Sequence, residues 1–308
     1  MGMQINNNLM ANNSLRNVNN TQDALSKSLE KLSSGLRINR AADDAAGLSI
    51  SEGLRSQVSG LAVAQRNTQD GISVIGVAEG ALQEVHTILH RQRDLAVQAA
   101  NDSNSVESRK AITTESKALT DELARISATT NFNGINLLDA TAAANGLTFQ
   151  VGAGADPTTE QIKISLVDIS KIATDQTKAQ VAATPSAPAG VDAAGAPTAA
   201  TAYAPATGGL DFTDATKAAG SISILDAQIE KISEARSDLG ASQNRLESAG
   251  RSLAVAKENL GAAESRIRDT DMAAEMVNYT KANILQQAGV SMLSQANQSG
   301  QAVLKLLG

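Results

Sequence analysis

Two histidines are the first place to look for chemistry, because imidazole is the commonest metal ligand among side chains. His86 and His90 are the only histidines of the 308-residue chain, and their spacing places both rings on one face of a helix. Thr87 stands where a His-Glu-x-x-His zinc protease has its glutamate, and only Glu79 or Asp94 lies nearby as a further ligand. Because this ligand set is incomplete, we predict a solvated helix face and no metal site.

Three other patterns resemble parts of known active sites. Residues 152–154 (Gly-Ala-Gly) lack the third glycine and the following helix of a dinucleotide loop, and a hairpin turn explains them. Ser28 and Lys31 match Ser-x-x-Lys of penicillin-binding enzymes, but the accompanying motifs are missing. The charged cluster of Arg91, Arg93 and Asp94 is typical of a solvated helix face. We predict no catalytic or cofactor-binding residues, and therefore no enzyme.

Composition excludes further classes. A net charge of −6 and a pI near 5.1 argue against nucleic-acid binding, which needs clustered basic residues. The absence of cysteine excludes disulfides and thiolate metal sites. The chain has no Trp, two Tyr and three Phe, so alanine and leucine supply most of its apolar content. Such residues favour helices that pack closely together.

The sequence contains no signal for membrane insertion. The first twenty residues lack the basic region and the apolar run of a secretory signal peptide. No segment approaches the roughly 18 apolar residues of a membrane span. We expect a cytosolic chain, or one that leaves the cell by a signal-independent route.

The elements that would carry these residues are long helices. All five prolines lie within residues 157–205, and both flanks carry apolar residues at the three-four spacing of helices that pack along one seam. We predict helices from residue 15, over 45–100, which would be about 80 Å long, and over 106–128. The first seam contains Leu15, Val18, Leu25, Leu29 and Leu32.

The C-terminal flank has the most regular repeat. A capping box at Ser223 and Asp226 would open this helix, residues 268–271 would interrupt it, and a last helix would start at Met272. We predict that the seams of both flanks pack between copies of the chain. The C-terminal positions concerned are Leu225, Ile232, Leu239, Leu246, Leu253, Leu260 and Ile267, followed by Leu293, Leu304 and Leu307.

The middle of the chain differs from both flanks. Runs at 147–151 and 161–167 alternate apolar and polar residues and predict a β-hairpin. Residues 171–220 are rich in Ala, Thr, Pro and Gly and predict a loose, exposed loop. The fold class is therefore mainly α, with long antiparallel helical rods or a coiled coil formed by the terminal segments, one β-hairpin and a short variable insertion.

Five segments follow from this pattern. We expect residues 1–44 to form the first helix and a linker, 45–170 the N-terminal rod helices and hairpin, and 171–220 the exposed central region. We expect residues 221–268 to form the C-terminal rod helix and 269–308 the last helix. The simplest arrangement folds the chain back on itself, so that the two ends lie together.

The same segments resemble a known family. Leu-Ser-Ser-Gly-Leu-Arg-Ile-Asn at 32–39, followed by Ala-Ala-Asp-Asp-Ala-Ala-Gly-Leu at 41–48, is similar to the N-terminal signature of bacterial flagellins. Further similar stretches lie in the right order at residues 93–98, 132–134, 244–248, 264–272 and 282–308. Together the resemblance covers about residues 3–140 and 221–308.

The resemblance implies a filament subunit located outside the cell in the bacterial flagellum. In that family the subunit is exported unfolded, without a cleaved signal peptide, through the flagellar type III apparatus, with a secretion chaperone, and polymerises under a filament cap. No cofactor is implied. Residues 15–36 and 272–307 would line an inner tube whose segments are disordered in the free subunit. Residues 48–128 and 222–267 would form the surrounding rods.

The resemblance also implies a possible host partner. Several flagellins are sensed by a Toll-like receptor, and that site maps onto Arg91, Leu95 and Glu115. His90 stands where the family more often has glutamine.

Three alternatives stay open at this stage. A hook-associated junction protein is a related structural protein that would form short caps rather than filaments. A monomeric helical receptor-binding protein would keep a fixed size as its concentration rises. A metal-dependent hydrolase using His86 and His90 would retain zinc after dialysis, and we expect none.

Overall fold

The computed structural model describes residues 8–182 and 209–307, and the side chains of 178–182 and 299–307 lie outside the described set. The described part contains seven helices and two two-stranded sheets. The helices are α1 Leu9–Ser34, α2 Ala45–Ala99, α3 Val106–Thr129, α4 Ala140–Asn145, α5 Ile169–Ala182, α6 Ala215–Arg268 and α7 Met272–Leu307. The strands are β1 Asn131–Phe132, β2 Ile135–Asn136, β3 Leu147–Gln150 and β4 Gln161–Ile164.

The chain divides into two compact units. The terminal unit comprises Met1–Ser59 and Ala256–Gly308, and the central unit comprises Gly60–Val255. The predicted mainly α fold, with long terminal helices and a hairpin, is confirmed.

Local signals set the helix ends in the terminal unit. The side chain of Asn8 accepts a hydrogen bond from the Ala11 amide at 3.1 Å, so α1 begins six residues before the predicted Leu15. At its other end Gly35 adopts φ 72°, a left-handed conformation that suits glycine. Asp44 caps α2, and its carboxylate accepts from the Gly47 amide at 2.8 Å.

The core of the central unit is built from heptad positions of α2, α3 and α6. Leu82 and Leu89 of α2 are fully buried, as are Leu123 of α3 and the α6 residues Leu225, Ile232, Leu239 and Leu246. The α6 repeat was predicted to pack between copies. That prediction is wrong for Leu225 through Leu253, which are only 0–9% exposed in a single chain, because this seam already packs against the chain's own helices.

The predicted hairpin is confirmed as β3 paired antiparallel with β4, with Leu147 opposite Ile164. It lies along α2, where the Asn67 side-chain amide donates to the Gln150 carbonyl at 3.1 Å. Glycine permits the close approach, since a Cβ on Gly71 would lie 3.2 Å from the Phe149 ring.

The predicted loose loop over residues 171–220 is wrong for most of its described part. Residues up to Ala182 form α5, which packs with Ile169 and Ile172 buried, and Leu210 and Phe212 are almost completely buried. These few apolar residues do not need a core of their own, because each reaches the core formed by the other helices. Residues 183–208 lie outside the described residues.

The predicted start of α6 is also wrong. The helix begins at Ala215, and Ser223 lies inside it, donating to the Gly220 carbonyl at 2.8 Å. Asp226 pairs with Arg93 of α2 instead of capping the helix. The extra turns are held because Ala218 and Ser221 are buried, and the Ser221 hydroxyl accepts from the Asp211 amide at 2.9 Å.

The two ends of the chain lie together in the terminal unit, as predicted. Helices α1 and α7 run antiparallel: the Asn8 side-chain amide donates to the Ala296 carbonyl at 3.0 Å, and the Ser28 hydroxyl donates to Glu275 at 2.5 Å. The predicted break at residues 268–271 is confirmed. There a backbone bridge joins Leu36 and Asp269.

Candidate assembly surface

The surface between α1 and α7 is built from small and polar residues. The least exposed positions of each helix recur at three-four spacing, as expected for two helices that pack along one seam. On α1 they are Ala11, Ser14, Val18, Thr21, Leu25, Ser28 and Leu32, and on α7 they are Glu275, Tyr279, Ala282, Gln286, Gly289, Leu293 and Ala296. Nine of these fourteen seam residues are small or polar, and the five bulky ones are Val18, Leu25, Leu32, Tyr279 and Leu293.

The other described bulky apolar residues of these helices point to solvent. We call them the assembly surface, and their side chains are between 46% and 70% exposed. They are Leu9, Met10, Leu15 and Leu29 of α1, and Met272, Met276, Val277, Ile284, Leu285, Val290 and Met292 of α7. Met276, Val277, Ile284 and Leu285 line one shallow pocket, and a contiguous apolar patch of this kind marks a surface that another molecule covers.

A groove of about 870 Å³ runs between α1 and α7 beside this surface. Small side chains such as Ala24, Ala282 and Gly289 line it, and Leu285 and Met292 of the assembly surface stand on its α7 side. Polar and charged side chains such as Lys27, Lys31 and Glu275 also line the groove.

The predicted packing residues have several locations in the structure. Val18, Leu25, Leu32 and Leu293 are partly buried along α1 and α7, whereas Leu15 and Leu29 belong to the assembly surface. Leu260 and Ile267 are partly buried in the terminal unit. The side chains of Leu304 and Leu307 lie outside the described residues.

The three predicted receptor residues do not form one exposed set. Arg91 of α2 and Glu115 of α3 are exposed and form an ion pair at 2.6 Å. Leu95 is only 2% exposed and belongs to the apolar core of the central unit. Only the ion pair is presented at the surface.

The two histidines are brought together as their spacing predicted. Their Nε2 atoms lie 3.3 Å apart on α2. Burial lowers the pKa of His86, and His90 and Arg236 lower it further. Within residues 8–182 and 209–307, no group of three or more His, Cys, Asp or Glu side chains is arranged to hold a metal ion.

A buried amide cluster in the central unit escaped the sequence analysis. Gln176 of α5 and Gln92 of α2 exchange two hydrogen bonds at 3.1 and 3.2 Å, and both side chains are fully buried. Gln176 also donates to Gln228 of α6 at 2.7 Å and accepts from Thr120 of α3 at 3.0 Å. In the sequence, the only sign of this cluster is that Gln92 interrupts the apolar pattern of α2. That interruption does not indicate that its partner, Gln176, lies 84 residues away.

The described helices also exclude a membrane span. Across 8–182 and 209–307, none of them combines sufficient length with sufficient hydropathy to cross a bilayer.

A core of long helices, together with paired terminal helices that expose most of their described bulky apolar residues, is typical of a helical subunit that associates with other chains. Family models support this class and specify it. The model of the bacterial flagellin N-terminal helical region matches residues 5–143, and that of the C-terminal helical region matches residues 222–307. The two matches cover most of the sequence, and the chain belongs to the bacterial flagellin family.

Proteins of similar sequence support this family assignment over almost the full length of the chain. The chain is 47% identical to a flagellin of Halalkalibacterium halodurans over 99% of this chain and 100% of the relative. It is 43% identical to the flagellar filament 33 kDa core protein of Treponema phagedenis over the same shares. A solved structure of a Vibrio parahaemolyticus protein described as flagellar hook-associated has a TM-score of 0.54 at 16% identity, covering 74% of this chain and 100% of that one. At that identity the likeness shows the fold alone.

Proposed function

We propose that this chain is a structural subunit that polymerises with identical copies into the bacterial flagellar filament, using the assembly surface of α1 and α7. The proposal rests on the distribution of apolar side chains in the terminal unit. Its internal seam is mainly small and polar, while eleven bulky apolar residues of α1 and α7 face solvent. Family membership supports the same function.

The energetics favour association with several neighbours at once. Full burial of one Leu, Ile, Val or Met side chain stabilises by about 1.5–3 kcal/mol. Bringing two molecules together costs about 4–15 kcal/mol in lost freedom and ordering. A contact with one copy that covers only part of the assembly surface would therefore be weak, because its burial free energy is close to the cost of association. Contacts with several copies bury more side chains while the terminal helices are ordered only once, so association becomes favourable.

The direct test replaces exposed apolar residues of α7 without touching its seam. We expect Ile284→Gln combined with Leu285→Gln to leave the helical content intact, because glutamine is a good helix former, and to prevent seeded polymerisation. Sedimentation and negative-stain microscopy of the full chain measure this. Val106→Gln is the matched control, since Val106 is an exposed apolar residue outside the terminal unit.

Deletion of residues 282–308 is the second test, and it should leave a soluble protein that does not polymerise. Normal filaments from the deletion variant, or from the double Gln variant, would overturn the proposal. A chain of constant size at every concentration, with or without seeds, would indicate the monomeric adaptor instead.

The hook-associated alternative is not favoured, because the full-length relatives are filament proteins and the hook-associated likeness is one of fold only. Electron microscopy separates the two. A filament protein grows with time to lengths far beyond one subunit, whereas a junction protein stops at short collars.

We also propose that the chain acts outside the cell, after export through the flagellar type III apparatus with a secretion chaperone, and assembles under a filament cap. Family membership supports this route. Loss of the chain from the culture medium in cells lacking the flagellar export gate, with unchanged intracellular synthesis, is the expected result.

Recognition by a Toll-like receptor is a further proposal, supported by the exposed Arg91 and Glu115. Their ion pair must open or be shared when a partner binds, so Arg91→Ala and Glu115→Ala should each weaken receptor activation. Leu95 would act from the core, and its replacement should lower stability before it affects recognition.

A further inference from the structure

The histidine pair on α2 has a geometry that the sequence could not supply. His86 is partly buried and His90 is exposed, one helical turn apart in the central unit. Their Nε2 atoms approach to 3.3 Å, and the rings meet edge to face with centroids 4.3 Å apart. This contact allows a hydrogen bond between the two neutral rings, and it also brings two nitrogen ligands within reach of one ion.

The separation of the two nitrogens matches one coordination geometry better than another. Zinc binds imidazole nitrogen at 2.0–2.1 Å in tetrahedral sites, which places two such nitrogens about 3.3–3.4 Å apart. Adjacent positions of a square-planar ion such as Cu²⁺ at similar bond lengths lie only about 2.8–3.0 Å apart. The observed 3.3 Å agrees with the tetrahedral case.

Charges from two helices surround the pair. Arg236 of α6 lies close enough to act on His86, and it opposes a bound cation. Glu79 of α2 lies 3.8 Å from Arg236 and offsets part of its charge. These two side chains should tune the affinity in opposite directions.

We propose that His86 and His90 form a two-imidazole site that binds one zinc ion per chain, with water completing the tetrahedron. Such an open site exchanges its metal, so zinc would leave on dialysis, in agreement with the sequence-based expectation. It is a binding site and not a hydrolytic one, because Thr87 replaces the glutamate that a zincin uses as its base. The proposal amends the predicted solvated helix face and is independent of filament assembly.

The composition of the chain allows zinc binding at this pair to be measured without competing Cys or His ligands. The chain has no cysteine and no other histidine, so an untagged full chain offers zinc only this pair of imidazoles. Zinc chloride is titrated into the ¹⁵N-labelled protein, and the ring nitrogens are followed by long-range ¹H–¹⁵N correlation spectra. We expect both Nε2 signals to shift together and to saturate at one zinc per chain. Shifts in neither ring, or in one ring alone, would overturn the proposal.

Variants separate chelation from general binding. His86→Asn and His90→Asn should each weaken zinc binding, measured by calorimetry, by about tenfold or more, because the second ligand no longer acts at high local concentration. Arg236→Gln should tighten binding and Glu79→Gln should weaken it, with circular dichroism confirming the fold of each variant. Equal affinity in the double His→Asn variant would place the zinc on surface carboxylates and contradict the proposal.

Discussion

Asp211 fixes the turn before α6 through three contacts. Its carboxylate accepts from the amide and hydroxyl of Thr213 at 2.9 and 2.6 Å and pairs with Lys217 at 3.0 Å. Burial alone would raise its pKa, but the hydrogen bonds from Thr213 and the charge of Lys217 outweigh burial, and the pKa lies below its usual value. The ionised form therefore stabilises the folded chain.

The sign of this shift predicts acid sensitivity. Because the folded pKa is depressed, the contribution is present above the unfolded value near 3.8 and is lost as pH falls through the folded pKa. We expect Asp211→Asn to lower the free energy of unfolding by about 1–2 kcal/mol at pH 7, after allowance for solvent screening. Urea unfolding at pH 7 and below pH 3 measures this. A difference from the unmodified chain that stays constant with pH would contradict the assignment.

Gly289 of α7 is a contact position rather than a flexible one. A Cβ there would lie 2.9 Å from a methyl group of Val18 in α1. Gly261 of α6 has no atom within 4 Å of the same position and serves as the control.

The two glycines should respond differently to alanine. Gly261→Ala should stabilise the chain by up to about 1 kcal/mol through helix propensity. Gly289→Ala should lose that gain, because α1 and α7 must move apart, and Val18→Ala should restore it. Amide hydrogen exchange of α1 and α7 measures the pairing. Equal stabilisation by both alanines would show that the helices do not pack this closely.

At the scale of elements, the sequence predicted where most helices lie but not which face of each is covered. The predicted helix over residues 45–100 is found at Ala45–Ala99, and that over 106–128 at Val106–Thr129. The α6 repeat was also identified, yet Leu225 through Leu253 face the chain's own core. Periodicity is a property of one helix, whereas its partner is chosen by residues far away in sequence.

The buried amide cluster joins α2, α3, α5 and α6, so its removal should lower the stability of all four helices. Gln176→Leu removes the donor to the side-chain carbonyls of Gln92 and Gln228, so we expect a loss of about 1–3 kcal/mol in unfolding free energy. Gln92→Leu combined with Gln176→Leu should cost less than the sum of the single changes, because fewer buried polar groups stay unpaired. Chemical denaturation of the four proteins of this cycle is the measurement. Strict additivity would mean that the two amides do not interact.

At the scale of the whole molecule, the two units differ in how they are stabilised. The central unit has a continuous apolar core, including the fully buried Leu82, Leu123 and Ile232. The terminal unit has a small and polar seam between α1 and α7 and an exposed assembly surface. Local stability follows buried apolar contact, so the terminal unit should open more readily.

Hydrogen exchange in dilute solution and in assembled material tests this difference. We expect the amides of α1 and α7 to exchange much faster than those of α2, α3 and α6 in the free chain, and to become protected on assembly. The reason is that the assembly surface is covered only by other copies. Equal protection of the terminal helices in both states would remove the physical basis of the proposed function.

The sequence by itself determined the helical class, the proline-free flanks, the helix limits at Asp44 and near residue 100, the hairpin and the family. These features depend on neighbours within a few residues, where propensity and capping act. Only the tertiary structure decided that the α6 leucines are internal, that α5 and Phe212 join the core, and that the two imidazoles meet at 3.3 Å. Those outcomes depend on which surfaces meet across the folded chain, and a local pattern of apolar residues is the same whichever partner covers it.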